Sequence, residues 1–529
     1  MEREKRKMRS FGLLLAFILV DVCSGAEQKP APTSGAEEPT YQGKTLSEWA
    51  IQAKDESPQT RGEAAAALGA IGPVAIPALA GLLRDKDTGV RWSAGTALGA
   101  IGPIAIPALA ELLRDNDKDV RGEAASALAR IGPKAIPVLT GLLKGKDAHV
   151  RTAAALALGW MSPEARMAAP AVAELLRDKD TEVRRAAASA LGLMGPEAKT
   201  AAPILIESLK DEDGEVRGNA AWALGQMKMA GPEAKTAVPV LTELLKDKDA
   251  EVRSSAAEAL GSIGPGAKAT VPALVRSLTD EDRAVRSLAA EALGSIGPEA
   301  KAAIPALTKL LRDKDTEVRS SAAKALGGIG RTAVPVLARL LKDEDSDVRA
   351  AAAWALERIG PEAKAATPAL IESLKDERSG VRFAAVAALG QLRLETRTAI
   401  PLFAALLKDK DGDVRGTAAM ALGEIGPEAK TAIPALTNLL DDEAAMARDE
   451  AAWALGQMGP EAKTAIPAIT ESLKDEYSGV RFAAATALGK IGPEAKTSIP
   501  ALADLLKDKD EQVRKAAAEA LEKIKKEKK

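Results

Sequence analysis

The side chains that ordinarily do chemistry are scarce in this sequence. One histidine, His149, stands in the segment KDAHVR, and one cysteine, Cys23, stands near the amino end. A metal held by imidazole or thiolate needs several such ligands converging, and His149 has no second one to share an ion. Nucleophilic catalysis through a thiol or a Ser–His pair lacks its parts for the same reason. Carboxylates are plentiful, and the turn Asp409-Lys410-Asp411-Gly412-Asp413 opens like a calcium loop. Such a loop closes with a glutamate eleven residues after its first aspartate, and here that position is Met420. No glycine-rich segment is laid out to cradle phosphate. The carboxylates recur in a regular array, which suits helix capping and solubility better than acid–base catalysis. Lys+Arg of 73 against Asp+Glu of 75 gives a net charge of −2, so the electrostatic pull toward nucleic acid is missing. These residues lead to an expectation of no enzyme, no metal, no cofactor and no evident small-molecule substrate.

What would position any binding residues is a repeat. The chain has 529 residues, 46% of them hydrophobic but only 2% aromatic, and one compact core does not normally extend over such a length. Equivalent arginines fall at Arg61, Arg91, Arg121, Arg151, Arg184, Arg217, Arg253, Arg286, Arg319, Arg349, Arg382, Arg415, Arg448, Arg481 and Arg514. Their spacing is 30 or 33 residues, with a single 36 between Arg217 and Arg253. Each unit resolves into two helices. The second reads V-R-x-x-A-A-x-A-L-G-x-I, as from Val252 to Ile263, and its apolar positions fall on one stripe at helical periodicity. Asp249 or Thr316 before the valine suits a helix start, and Gly-Pro after the last apolar residue stops it. The first helix reads PALxxLLKD, as at Pro500 to Asp508. Such a hairpin cannot bury its own stripe, so neighbours must cover one another. The glycine eight places after the arginine, as at Gly261, Gly294 and Gly423, lets helices approach closely. The expected fold is all-α: an α-solenoid, or superhelix, of about fifteen stacked hairpins over 44–529.

The paired helices, the D-x-D-x-x-V-R turn and the GPEAxxAIPAL connection resemble HEAT repeats. More closely, they look like the short HEAT-like repeats named after phycobilisome bilin lyases. The resemblance covers about residues 45–525. It implies that a turn aspartate pairs with the arginine six positions later, making a ladder along the stack. The residues so placed are Asp178 with Arg184, Asp247 with Arg253, Asp313 with Arg319 and Asp508 with Arg514, while Gly145 breaks the rule before Arg151. A related di-iron hydroxylase of this architecture depends on His-Glu pairs. None is present, so that activity is not carried over, and a repeat named after a lyase implies no lyase activity.

On the second helix, positions +1 and +5 from the arginine point away from the apolar stripe, onto what a HEAT-like solenoid makes its concave face. Trp92, Phe383 and Phe482 stand at +1, Trp222, Trp354 and Trp453 at +5, and Trp160 on the flank at +9. Exposed aromatics among small residues are the usual anchors for a protein partner, although each ring could equally lean on the adjacent helix. Trp354 with Phe383, and Trp453 with Phe482, fall in adjacent units. The expected function is a non-catalytic scaffold binding a polypeptide along this face. The alternative is a lyase-like or other enzyme accessory protein holding a prosthetic group or a client.

Residues Met1 to Ser10 carry Arg3, Lys5, Arg6, Lys7 and Arg9, and the apolar run Phe11 to Val20 and the small residues Ser24, Gly25 and Ala26 follow. This is the form of a secretory signal, expected over 1–26, with an uncleaved anchor as the alternative. The apolar run is too short for a comfortable membrane span, so none is expected in the mature chain. Loss of 1–26 removes the sole cysteine, which suits an oxidising periplasm, bacterial cell envelope or exterior. Residues 27–43, rich in proline and glutamate, are expected to be a disordered linker. The checkable outcome is a mature chain starting at Glu27, read by terminal-peptide mass spectrometry.

Overall fold

The computed structural model describes residues 38–229 and 231–525. The expected signal over 1–26, Cys23 and most of the expected linker lie outside them. The described chain forms two compact units, one ending at Ile131 and one beginning at Gly132.

The first unit opens on a small antiparallel hairpin, Thr40–Tyr41 with Lys44–Thr45. Helix Leu46–Gln52 follows, then Pro58–Ile71, then the helix pairs Ile76–Leu82 with Thr88–Ile101 and Ile106–Leu112 with Lys118–Ile131. The linker expectation therefore ends too late. Within 38–43 the backbone carbonyl of Tyr41 accepts the Trp49 indole N–H at 3.0 Å, and Glu38 accepts from the Ser47 N–H at 3.1 Å. Lys44 also lies over the Trp49 ring. Trp49 is buried, and burying an indole whose N–H finds a partner repays the ordering of a short segment.

In the second unit the hairpins run from Ile136–Leu142 with Ala148–Trp160 to Ile499–Asp504 with Glu511–Lys525. Local chemistry sets many of the boundaries. Second helices start about two residues earlier than the sequence pattern implies: Ala250–Ile263 rather than from Val252. Where an aspartate precedes the helix, the reason is the cap. Asp249 is the N-cap residue and accepts from the Glu251 N–H, and at the next example the cap is Asp315, with Thr316 already helical. Gly426 ends its helix at φ +78, a left-handed conformation that a side chain would strain. The three inserted residues of GPEAKTA complete a 3-10 segment, Gly426–Ala432, before the proline of Ile433–Leu439 opens the next hairpin.

Packing follows the alanine and glycine pattern. A Cβ built on Gly294 would lie 2.8 Å from the Cα of Ala325 on the next second helix, so only glycine permits that spacing. Val285, Ala289, Ala290, Leu293 and Ile296 of the same helix are buried, as the apolar stripe requires. The result is an α-solenoid.

The arginine ladder exists, with a different pairing from the one expected. Arg184 Nη1 donates to the backbone carbonyl of Asp178, six residues earlier, at 3.1 Å. Its Nε and Nη2 reach the carboxylate of Asp211 in the following turn, at 2.8 and 3.0 Å. The Asp178 carboxylate instead receives Arg151 at 2.7 and 2.8 Å. Likewise Asp247 takes Arg217, Asp313 takes Arg286 and Asp508 takes Arg481, while Arg253 takes Asp280. Arg319 and Arg514 keep only the carbonyl half of the arrangement with Asp313 and Asp508. Gly145 breaks nothing for Arg151, because the group Arg151 uses there is the Gly145 carbonyl, at 2.9 Å. The physical reason is reach. A guanidinium folded back over its own turn meets carbonyls, and its remaining edge faces the next hairpin's turn, where the carboxylate completes a bidentate pair.

Each ladder aspartate also accepts a backbone N–H two residues on, as Asp409 does from Asp411 at 2.9 Å. Burial works against the charged form of Asp409. The Arg382 hydrogen bonds, that N–H and the nearby positive charges outweigh it and hold the pKa below the usual range. The sign is that of a depressed carboxylate: stabilisation is present above about pH 4 and is lost as pH falls through the folded value. Asp409→Ala is expected to destabilise its neighbourhood by about 2–4 kcal/mol, because it strands the buried Arg382. Asp343→Ala, whose partner Arg312 is exposed, should cost less than about 1 kcal/mol. Hydrogen exchange over the helices flanking each site measures both.

Candidate functional site

The seven aromatics divide by what lies beneath them. In the first unit Trp92 is exposed, and the Arg130 guanidinium sits over its ring at 5.7 Å, anchored to Thr96. The remaining six are in the second unit. Trp160 is exposed at the end of its helix. Trp222 and Trp453 are half-buried, each laid over the glycine of the preceding second helix. A Cβ on Gly192 would lie 2.1 Å from Trp222 Cζ3, and one on Gly423 would lie 2.4 Å from Trp453 Cζ3. These two indoles fill space between helices, which is a packing role.

Trp354 differs because Arg358 takes that space: its stem lies within 2.8–3.1 Å of a Cβ built on Gly327. Trp354 is left 42% exposed and meets half-buried Phe383 on the following helix, ring centroids 5.6 Å apart and tilted by 57°. That geometry suits aromatic pairing. Among the described residues Trp453 and Phe482 form no such pair, and Phe482 is exposed on its own.

Beside Trp354 the second helices Thr316–Ile329 and Ser346–Ile359 leave a cleft of about 550 Å³. Arg319, Lys324, Arg358, Asp347, Glu357 and Trp354 are among its lining. Here the ladder changes. Asp343, the carboxylate that would complete Arg319, is held instead by Arg312 from the end of the preceding first helix. Arg319 Nη2 therefore turns to Thr316 at 3.1 Å and to Asp347 at 3.3 Å. Its side chain is 23% exposed against 4% for Arg382. Among the described residues neither Lys324 nor Arg358 forms an ion pair. The first unit makes the same exchange. Arg84 takes Asp115, and the Nε of Arg91 is left buried without a partner. The sequence pattern places Arg319 in the ladder and does not single out Lys324 or Arg358. The available signal was weak: an arginine seven places before the ladder arginine, where most units carry lysine.

Acidic groups flank this cleft along the row of second helices. Glu258 accepts from Gln226 at 3.3 Å, and Glu291 accepts from Ser321 at 3.0 Å. Burial, and then the charge of Glu291, raise the Glu258 pKa. On the other side Asp449 is raised by burial and by Asp475. Glu450 is pushed up to about 7 by burial, then by Asp449 and Glu424. No group of three or more His, Cys, Asp or Glu side chains converges to hold a metal among the described residues. No single helix there is long and apolar enough to cross a membrane.

With this geometry in hand, comparison with known proteins gives the family. The HEAT-repeat model matches in overlapping stretches from 46–129 to 433–522. The chain belongs to the HEAT-repeat family. A search of curated protein sequences finds no match. Among solved structures, the chain is similar to importin beta, at 15% identity and TM-score 0.64, over 90% of this chain and 77% of that one. It is similar to yeast importin-beta (Kap95p), at 16% identity and TM-score 0.61, over 91% and 77%. It also resembles the solenoid in a Kap95:Nup1 complex, at 14% identity and TM-score 0.67, over 91% and 77%. At these identities the likeness is one of fold.

Because its folded pKa is raised, Glu450 favours stability at low pH, and that contribution is lost as pH climbs from about 4.5 to about 7. Glu450→Gln is therefore expected to raise stability by about 1–2 kcal/mol at pH 8, discounted for partial exposure, and to change little at pH 4. Thermal unfolding of both proteins across that range is the measurement.

Proposed function

We propose that this HEAT-repeat chain is a non-catalytic scaffold that holds an extended polypeptide along the row of second helices in its second unit. The observation that carries the reading is the cleft beside Trp354 and Phe383. A protein with few aromatics leaves an indole exposed there, between small residues and unpaired cations. A large aromatic group beside polar groups with spare hydrogen-bonding capacity is the composition of an interaction hot spot. The repeat fold supports it, because stacked hairpins present a long surface whose side chains are free of core duties. The narrower kinship to bilin-lyase-type repeats belongs to the same proposal and brings no catalysis with it. Export, read from residues 1–26, would place the work outside the cytoplasm.

Trp354→Ala combined with Phe383→Ala is expected to keep far-ultraviolet circular dichroism unchanged. It should reduce crosslinked capture of the native partner in the protein's own cells by about tenfold, the size expected for a hot-spot pair. Trp222→Ala serves as the packing control and should lower stability instead. Undiminished capture by the double variant would remove this surface from consideration.

A further inference from the structure

Resting on the scaffold reading, we infer that the cleft beside Trp354 recognises a partner segment in which a carboxylate side chain adjoins an aromatic one, with basic residues on both sides. Three observations on this unit carry the inference. The first is the released ladder arginine. In the neighbouring turns the guanidinium is closed by two bonds to one carboxylate, as Arg286 is by Asp313 and Arg349 by Asp376. Arg319 has lost that carboxylate to Arg312. Its Nε meets no acceptor among the described residues, and its contact to Asp347 is long, to a carboxylate that is 66% exposed. A guanidinium held in place by the Asp313 and Lys314 carbonyls, and paired only through that long contact to solvated Asp347, is a fork laid out for an incoming carboxylate.

The second observation is the company it keeps. Lys324 and Arg358 are exposed on the same cleft, and Trp354 with Phe383 supplies an aromatic platform at its edge. Asp347 and Glu357 also line it, so a diffuse anion gains less there than one whose oxygens meet Arg319 directly. The third is the zoning of charge along the row. Glu258 and Glu291 precede the cleft, while Glu424, Asp449 and Glu450 follow it. Burial and mutual repulsion among these acids make nearby positive charge welcome. Second helices about 8–10 Å apart and an extended chain of ~3.3 Å per residue place the basic residues about five residues from the central carboxylate on one side. On the other side the same arithmetic gives about nine residues.

The test uses the full chain and a fluorescein-labelled peptide of that design. It has a central Glu-Trp-Glu, Gly-Ser spacers and lysine pairs at the two offsets, made in both chain directions. One direction should bind at least about tenfold more tightly than its charge-reversed counterpart, the worth of a well-placed bidentate ion pair. Lys324→Glu should abolish most of that preference. Arg312→Ala lies outside the cleft and should weaken binding several-fold, because it frees Asp343 to close on Arg319. The inference is overturned if the reversed peptide binds equally, or if both variants bind like the parent. It is also overturned if inorganic phosphate or phosphatidylglycerol vesicles displace the probe as well as unlabelled peptide does. Partner capture separates the two readings. Loss in the Trp354/Phe383 variant with normal capture by Lys324→Glu and Arg312→Ala leaves the scaffold standing and sinks carboxylate recognition. Unchanged capture by all of them sinks both.

Discussion

A buried guanidinium calls for a partner on each edge, and in the second unit that need joins most helical hairpins to the next. Arg382, almost wholly buried, spends Nη1 on the carbonyls of Asp376 and Glu377 in its own turn. It spends Nε and Nη2 on the carboxylate of Asp409 in the next turn. The first pair of bonds fixes the turn that starts the second helix. The second pair fixes the distance and rotation to the following hairpin. Apolar burial alone would let small alanine-rich surfaces slide, since many registers bury similar area. A bidentate ion pair in a poorly solvated place tolerates little displacement, so it selects one register from many.

This constraint also explains how a surface can be specialised without disturbing the stack. Stability in such a fold is close to a sum of neighbouring terms, so one rung can be rewired at local cost. Where Arg312 captures Asp343, the stack persists because Arg319 still closes its own turn through Asp313 and Lys314. What changes is the charge that faces outward. The same logic applies to the aromatics: Trp222 and Trp453 complete the packing over Gly192 and Gly423, whereas Arg358 over Gly327 leaves Trp354 available. Function in a repeat array is written as departures from the consensus.

Much of the fold was legible in the one-dimensional pattern. The regular arginines, the apolar stripe and the Gly-Pro breaks determined two helices per unit, an all-α class and stacking, because each depends on contacts within about one repeat. The candidate aromatics were legible as a set. Their roles were not, since Trp222 and Trp354 occupy the same +5 position and differ only in what the neighbouring helix places beneath them. The segment 38–43 likewise reads as linker because its order comes from Trp49, eight residues beyond Tyr41, whose indole N–H donates to the Tyr41 carbonyl.

Which carboxylate each arginine would take was a tertiary decision. Asp178 stands six residues before Arg184 and 27 after Arg151, and sequence proximity favoured the first. Folding favours the second, because a side chain bent over its own turn meets main-chain oxygens while its far edge faces the next hairpin. Sequence by itself set periodicity, helix type and the supply of charged and aromatic groups. Only the stacked structure assigned partners to them, since those assignments depend on distances between helices that no spacing along the chain encodes.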